Sequence, residues 1–254
     1  HHNGIPLFVM GRGSNLLIHD DGFKGLVMYL GNEAWRGIQK LDENRMEVGA
    51  GLRLQALSAK ACKWGMQGFE FLEGIPGSVG GALRMNAGAM GGWMFDIVES
   101  ITFYTIEGEY RELASSEFHV AYRKCEELAH GIALRAVLRA PSRAEETPIR
   151  EQMKTNASHR IKSQPKEPSA GCIFKNPEQV PAGKLIDELG LKGESIGDAA
   201  ISEIHGNFIV NRGQATSHDV INLIRKVREI VKRERGLLLE PEVMLIGKKW
   251  EEVL

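Results

Sequence analysis

Cysteine is scarce in this chain of 254 residues, and what there is forms no framework. Cys62, Cys125 and Cys172 are odd in number, far apart and free of any C-x-x-C pairing, which excludes a disulfide scaffold and fits a reducing, cytoplasmic setting. The eight histidines include no HExxH and no paired ligand spacing, so no metal is expected. No apolar run reaches the roughly 18 residues that a membrane span needs, and no membrane partner is expected. Charge of one sign is also lacking: 32 Lys and Arg stand against 33 Asp and Glu, a net charge of -1, which argues against a general nucleic-acid-binding surface. Asn156-Ala157-Ser158 matches a glycosylation sequon, but with no secretory signal in view it reads as chance. Internal repeats are absent. The length and a hydrophobic content of 43% allow one large domain or two smaller ones.

Glycine is abundant, and it clusters. Residues 73–92 hold Gly74, Gly77, Gly80, Gly81, Gly88, Gly91 and Gly92 among Ile75, Pro76, Ser78, Val79, Leu83, Met85 and Asn86. Such density costs conformational entropy, so it marks backbone that turns sharply or touches something closely. A flexible linker would lack the apolar residues. A flat ring or a pyrophosphate lying on the main chain explains both features, since no Cβ holds it off and free N–H groups face it. A second turn, Gly11-Arg12-Gly13-Ser14-Asn15-Leu16-Leu17, follows the apolar run 5–10. It begins like a dinucleotide fingerprint without the third glycine or a following long helix, and it reads instead as a phosphate-contacting turn after a strand.

Periodicity orders the remainder. Residues 5–10 read as a buried strand whose preceding helix is cut away, and residues 23–30 and 45–50 as further strands. A helix is expected over 54–64, with Leu54, Leu57 and Ala61 on one face and Gly65 or Gly68 at its end. Residues 100–106 and 109–113 flank Glu107-Gly108 as a hairpin. Residues 131–140 alternate, with Ile132, Leu134, Ala136 and Leu138 on one side. A polar, helix-favouring stretch follows over 142–162, then a loop over 165–171, a short helix over 181–189 and a strand over 206–211. Ser217 is expected to cap a long amphipathic helix that turns Val220, Leu223, Ile224, Val227 and Val231 inward and ends at Gly236. Its Lys226, Arg228, Lys232, Arg233 and Arg235 read as a solvated face favoured by the helix dipole. Residues 238–247 read as a closing strand that rejoins the first sheet.

Taken in order, residues 11–17, 74–88, 121–123, 169–177, 182–193, 201–211 and 240–243 resemble the flavoprotein UDP-N-acetylenolpyruvoylglucosamine reductases, the MurB family. The short passage from Arg160 to Gly171 resembles that family's second form, which lacks an extra substrate-covering loop. The resemblance implies an α+β fold: an FAD-binding domain of the vanillyl-alcohol-oxidase (PCMH) type over 1–141, rejoined by 238–254, and a smaller α/β substrate-binding domain over 142–237. It also implies that the N-terminal part of the FAD domain is missing. FAD contacts would come from Gly11, Gly13, Ser14, Asn15 and Leu16, and from Gly74, Ile75, Pro76, Gly77, Ser78, Gly80, Gly81, Asn86 and Gly88.

The implied reaction carries a hydride from NADPH through FAD to the enolpyruvyl double bond of a nucleotide sugar, making UDP-N-acetylmuramate for peptidoglycan. Negative charge then develops beside the substrate carboxylate and a proton must reach the neighbouring carbon, which calls for a cation and a positioned acid. Arg123 suits the first task, because a guanidinium grips a carboxylate bidentately and stays charged. By resemblance Glu242, in Glu240-Pro241-Glu242-Val243, is the family's catalytic glutamate, and Cys172 stands where the best-known members carry the acidic serine. Cys172 beside Ile173 and Phe174 also reads as a small buried hydrophobe. A thiol with a pKa near ~8.5 is nevertheless a far better donor at neutral pH than a hydroxyl. Tyr122, Lys175, Asn176 and Lys184 would bind substrate, with Lys184 meeting the diphosphate and Lys175 and Asn176 either holding substrate or shaping the turn. A monomer is expected. Two alternatives stay open: an FAD oxidoreductase acting on a hydroxy acid, with Tyr122 or His205 as base, and a non-enzymatic flavin-binding module.

Overall fold

The computed structural model describes residues 4–254. The chain divides into two compact units: residues 4–12 with Gly25–Arg160, and Gly13–Lys24 with Ile161–Leu254.

The first unit is built on a five-stranded antiparallel sheet in the order Tyr110–Ala114, Val98–Tyr104, Ile132–Arg139, Arg45–Gly49, Ile38–Lys40. Along Arg45–Gly49 the apolar Met46 and Val48 are fully buried while their neighbours are not, as alternating side chains on a one-sided sheet require. The helix Leu54–Lys63 closes the covered face with Leu54, Leu57 and Ala61, spaced as one helical stripe and all buried. Leu57 has no exposed surface, so truncating it to alanine should cost about 2–5 kcal/mol. Gly65 ends this helix with φ +67.

Three expectations change in this unit. The strand at the start pairs Leu7–Met10 with Leu26–Tyr29 in a parallel two-stranded sheet, and it is not buried: Leu7, Leu26, Val27, Met28 and Tyr29 are all exposed. Two strands alone have no second layer to cover them. The alternation over 131–140 slips at a bulge between Ala133 and Arg135, which turns Ala133 inward with Ala136 and Leu138. The helix expected over 142–162 runs Glu146–Ser163 after a short strand Ser142–Arg143, and all but its last turn belongs to the first unit. The buried Asn156 donates from Nδ2 to the Glu70 carbonyl at 2.9 Å, and Ile149 is buried.

In the second unit a four-stranded antiparallel sheet runs in the order Ser169–Cys172, Phe208–Asn211, Ala199–Ile201, Ser195–Ile196. The helices Ala182–Glu188 and Ser217–Arg235 pack on it through Leu185, Ile186, Leu223, Ile224, Val227 and Val231. The cap of the long helix is Thr216, one residue before the expected Ser217: Thr216 Oγ1 accepts from Asp219 N–H at 3.1 Å, and Asp219 accepts from Thr216 N–H in return. Ser217 instead meets Asp20, its N–H donating to Oδ1 at 2.9 Å. Gly236 ends the helix with φ +68. The closing strand is Met244–Ile246, and it pairs in parallel with Leu16–Ile18 inside the second unit, not with the first unit's sheet. The boundary expected at 141/142 therefore falls at 160/161, and the terminal segment groups with the second unit.

Candidate active site

In the first unit the glycine-rich loop lies against the end of the Arg45–Gly49 strand through backbone groups. Val79 N–H donates to Leu52 O at 2.9 Å, Gly80 N–H to Ala50 O at 2.8 Å, and Leu54 N–H to Gly77 O at 3.3 Å. Ala50 N–H in turn donates to the carbonyl of Leu134, the extra residue of the bulge, at 2.9 Å. Beside this junction is a cavity with glycine walls (Gly11, Gly80, Gly81, Gly131), apolar walls (Val9, Leu30, Ala50, Leu128, Ala133) and two polar groups, Ser78 and Arg84. A Cβ on Gly11 would sit 2.5 Å from Ser78 Oγ, whereas one on Gly81 would meet only that atom, at 3.8 Å, and so point into the open space. Gly81 is thus the wall at which an added side chain would enter the cavity, the arrangement that close approach of a cofactor to the backbone uses, while Gly80 and Gly131 lie against protein atoms. Arg84 is the residue that sequence reading missed here. It is half-buried, burial draws its pKa below the usual guanidinium value, and it meets no carboxylate among the described residues. A cation on a helix one turn beyond Gly80-Gly81 was the available signal.

Other residues of the loop are committed to protein contacts. Buried Asn86 adopts φ +37, donates from Nδ2 to Ala121 O at 3.4 Å and accepts Phe95 N–H at Oδ1 at 3.2 Å, so its amide ties the loop to the next hairpin. Gly88 makes room for an indole: a Cβ there would run into Trp93 Cε3. Gly74 has φ +76 and faces the Arg160 side chain, whose Cδ lies 2.8 Å from the position of a Cβ. Ile75 packs on the core, and Pro76 is exposed.

Tyr122 and Arg123 form the two-residue tip between Val120–Ala121 and Lys124–Cys125. Arg123 takes φ +59, a conformation that costs a non-glycine residue about 1–3 kcal/mol and persists where the surroundings impose it. The Arg123 guanidinium lies over two rings, with Cζ 4.9 Å from the Tyr122 centroid and 5.6 Å from that of Trp93. Close by, Cys125 is buried and burial pushes its thiol up to about 11.

In the second unit the remaining candidates gather around one junction. Glu242 N–H donates to Ile173 O at 2.7 Å and Lys175 N–H to Glu240 O at 2.9 Å, so Cys172, Lys175 and Glu242 sit on paired segments. The buried Asn207 clamps the same segment, accepting Phe174 N–H at Oδ1 at 2.9 Å and donating from Nδ2 to Phe174 O at 2.8 Å. Gly171, with φ +80, and a register shift between Ser169 and Cys172 set the direction of Cys172. The Cys172 thiol is half-exposed, unlike buried Cys62 and Cys125. The turn residues come to the same place: Asn15 donates from Nδ2 to Glu242 O at 3.2 Å and accepts Met244 N–H at its carbonyl at 3.0 Å, while Gly171 approaches the Ser14 carbonyl. Gly13 and Leu16 flank these, Gly13 with φ +69. Lys175 Nζ pairs with the Glu240 carboxylate, and Asn176 Oδ1 accepts Ala182 N–H at 3.0 Å. Exposed Lys184 lies 3.8 Å from Glu188.

Two features bear on the alternative base. His205 Nδ1 accepts Asn207 N–H at 3.1 Å, and burial, helped by Lys192, lowers the imidazole pKa. Tyr122 is packed edge-on against Trp93, at 5.8 Å and 80°. Among the described residues there is no cluster of three metal-ligating side chains, and no helix is long and apolar enough to cross a membrane.

A glycine cradle in an α+β chain, with a match of residues 1–114 to the family model described as FAD binding domain, makes this an FAD-binding oxidoreductase. Residues 164–246 match the model described as UDP-N-acetylenolpyruvoylglucosamine reductase, C-terminal domain. The chain is 40% identical to the UDP-N-acetylenolpyruvoylglucosamine reductase of Agathobacter rectalis, over 96% of this chain and 81% of that protein. It is 43% identical to the one from Prochlorococcus marinus, over 96% and 84%. The crystal structure of the Thermus caldophilus reductase (MurB) superposes with a TM-score of 0.83 at 40% identity, covering 96% of this chain and 86% of that one. The chain belongs to the UDP-N-acetylenolpyruvoylglucosamine reductase family.

Proposed function

We infer that this protein reduces the enolpyruvyl group of UDP-N-acetylglucosamine enolpyruvate to UDP-N-acetylmuramate in peptidoglycan precursor synthesis, with FAD as bound cofactor and NADPH as electron source. The observation that carries this reading is identity of about 40% to named reductases across both units. The cradle at Gly11, Ser78, Gly80 and Gly81 fits FAD, and half-buried Arg84 supplies a cation for its diphosphate, because a buried charge is costly until it is paired. When bound, FAD provides the two-electron relay between NADPH and the enolpyruvyl double bond.

The chain's own groups do the rest. Arg123 holds the substrate carboxylate and stabilises the charge that develops on it, a contact that strengthens in the transition state. Cys172 donates the proton to the neighbouring carbon, and Glu242 serves the same half of the reaction. Tyr122, Lys175, Asn176 and Lys184 bind the nucleotide sugar. The first unit is the cofactor domain and the second the substrate domain. Cysteines held as thiols fit a reducing, cytoplasmic compartment, and the working species is a monomer.

The test is an anaerobic absorbance spectrum of the purified protein. A flavin band that bleaches with NADPH and returns on adding the enolpyruvyl nucleotide sugar, with UDP-N-acetylmuramate formed, supports the reading. A band that bleaches and does not return with this substrate refutes it.

A further inference from the structure

The ladder between Ser169–Cys172 and Phe208–Asn211 ends where Cys172 pairs with Phe208. The chain before Phe208 bends away into a turn, closed by Phe208 N–H on His205 O at 3.0 Å. Ile173 N–H still reaches the Asn207 carbonyl, at 2.9 Å. Past that point the Asn207 side chain takes over: Oδ1 accepts Phe174 N–H at 2.9 Å and Nδ2 donates to Phe174 O at 2.8 Å. The other side of the segment is held by residues 240–242, with Glu242 N–H on Ile173 O at 2.7 Å and Lys175 N–H on Glu240 O at 2.9 Å. Each of the two peptide groups flanking Phe174 therefore carries one bond from the Asn207 amide and one from residues 240–242. Asn207 is 2% exposed, so water does not compete for either bond.

We propose that Asn207 is a positioning residue: its side-chain amide, standing in for a strand's peptide group, locks residues 172–175 and 240–242 into the register that presents Cys172 and Glu242 to the substrate together. A carboxamide carries an acceptor and a donor on one planar group, as a peptide does, and asparagine is the shortest side chain that has both. A peptide plane bonded at both its N–H and its C=O cannot rotate without leaving a buried polar group unpaired, which is costly. Burial of the Phe174 ring would not fix that rotation, because apolar contact is non-directional. The register matters because an error of about 1 Å at a reacting group can cost roughly 100-fold in rate.

The proposal rests on the roles given to Cys172 and Glu242 above, and the experiment separates the two. Flavin reduction by NADPH and reoxidation by the enolpyruvyl nucleotide sugar are followed by stopped flow in the holoenzyme of Asn207→Ala, Asn207→Asp, Cys172→Ala and Glu242→Gln, over the pH range in which the parent stays folded. Asn207→Ala should slow the limiting rate of reoxidation roughly 10- to 100-fold and leave reduction as it was. In Asn207→Asp the neutral carboxyl accepts from Phe174 N–H and donates to Phe174 O, whereas the ionised form sets a negative oxygen against that carbonyl. Burial and the carbonyl both favour the neutral form and raise this carboxyl above its ordinary pKa. Its reoxidation rate relative to the parent should therefore be near parity at low pH and fall as pH rises. The titratable neighbours, His205 beside Lys192, and Cys172, Lys175, Glu240 and Glu242 on the paired segments, are common to parent and variant, so the ratio reports the introduced carboxyl. Parent-like reoxidation in Asn207→Ala, equal slowing of both half-reactions, or a pH-independent ratio in Asn207→Asp would each overturn the positioning role. A slow Asn207→Ala beside Cys172→Ala and Glu242→Gln that both reoxidise at the parent rate would overturn the roles of those two side chains, and with them the action of Asn207 through them. Should Asn207→Ala lose its cooperative melt, Asn207→Ser takes its place.

Discussion

Replacing Gly81 by valine separates the cradle's binding role from its structural one. Gly81 lies in the helix Val79–Arg84 and lines the cavity, and a Cβ added there would have only Ser78 Oγ near it, at 3.8 Å. The valine Cβ therefore meets no protein atom closer than ordinary contact, and in a helix valine differs from glycine by a few tenths of a kcal/mol in its favour, at about 0.3. The flavin-free protein should therefore melt at the parent temperature or slightly above. The two added methyl groups project into the space the cofactor fills, and overpacking of this kind costs about 1–3 kcal/mol. FAD affinity should fall roughly 5- to 150-fold. Gly80→Val is the contrasting case. Its Cβ would lie 3.1 Å from Ala50 Cβ and 3.3 Å from Ala50 O, the carbonyl that Gly80 N–H already binds at 2.8 Å. That variant should lose stability even without flavin. The assay is a pair of measurements on deflavinated protein: a thermal melt, and a titration of flavin fluorescence with protein. Parent-like FAD affinity in Gly81→Val would remove this face of the helix from the cofactor site.

Three further outcomes are expected. Arg84→Gln should weaken FAD binding roughly 10- to 150-fold, the worth of a charge-assisted hydrogen bond, and flatten its salt dependence; titrations at low and high salt check this, and unchanged salt dependence would place Arg84 away from the diphosphate. Arg123→Ala should bleach with NADPH at the parent rate but reoxidise with substrate more slowly by about 2.7–4 kcal/mol of barrier, whereas equal slowing of both would mark a structural arginine. Cys172→Ser should stay active at a reduced rate and Cys172→Ala should stall in single-turnover reoxidation, with parent speed and product yield in the alanine variant counting against the thiol as acid. Peptide mapping after alkylation should also find Cys172 modified first and protected by substrate, because Cys62 and Cys125 are buried and burial raises both thiol pKa values.

The strands and helices with clean periodicity were legible in the sequence, as at Leu54–Lys63 and Arg45–Gly49, because one physical rule decides them. The places that were not legible are those settled by distant partners. Nothing local in Glu146–Ser163 tells that Asn156 reaches Glu70, so a fall in hydrophobicity read as a boundary where the helix is one exposed layer of the first unit. The parallel pairing of Leu16–Ile18 with Met244–Ile246 joins segments that share no short-range signal. The helix cap was within reach: Thr216 stands three residues before Asp219, the spacing of a capping box, and this outweighs the neighbouring Ser217. At the candidate site, motif reading pointed to the glycines that line the cradle and to Arg123 on its hairpin tip. It passed over Arg84, which lines the same cavity, and Asn207, which clamps Phe174, because each stands alone in the sequence.

The peptide groups that seat the glycine-rich loop have a consequence for how the protein could vary and how it should be dissected. The relay from Leu134 O to Ala50 N–H, and from Ala50 O to Gly80 N–H, involves no side-chain atom. Nineteen of the twenty genetically encoded residues would supply the same N–H, so drift in side chains along this path leaves the hydrogen-bonded frame unwritten in residue identity. An alanine scan through it would report only crowding. Proline at residue 50 or 80, or an amide-to-ester exchange at the same peptide, is the perturbation that reaches the frame itself.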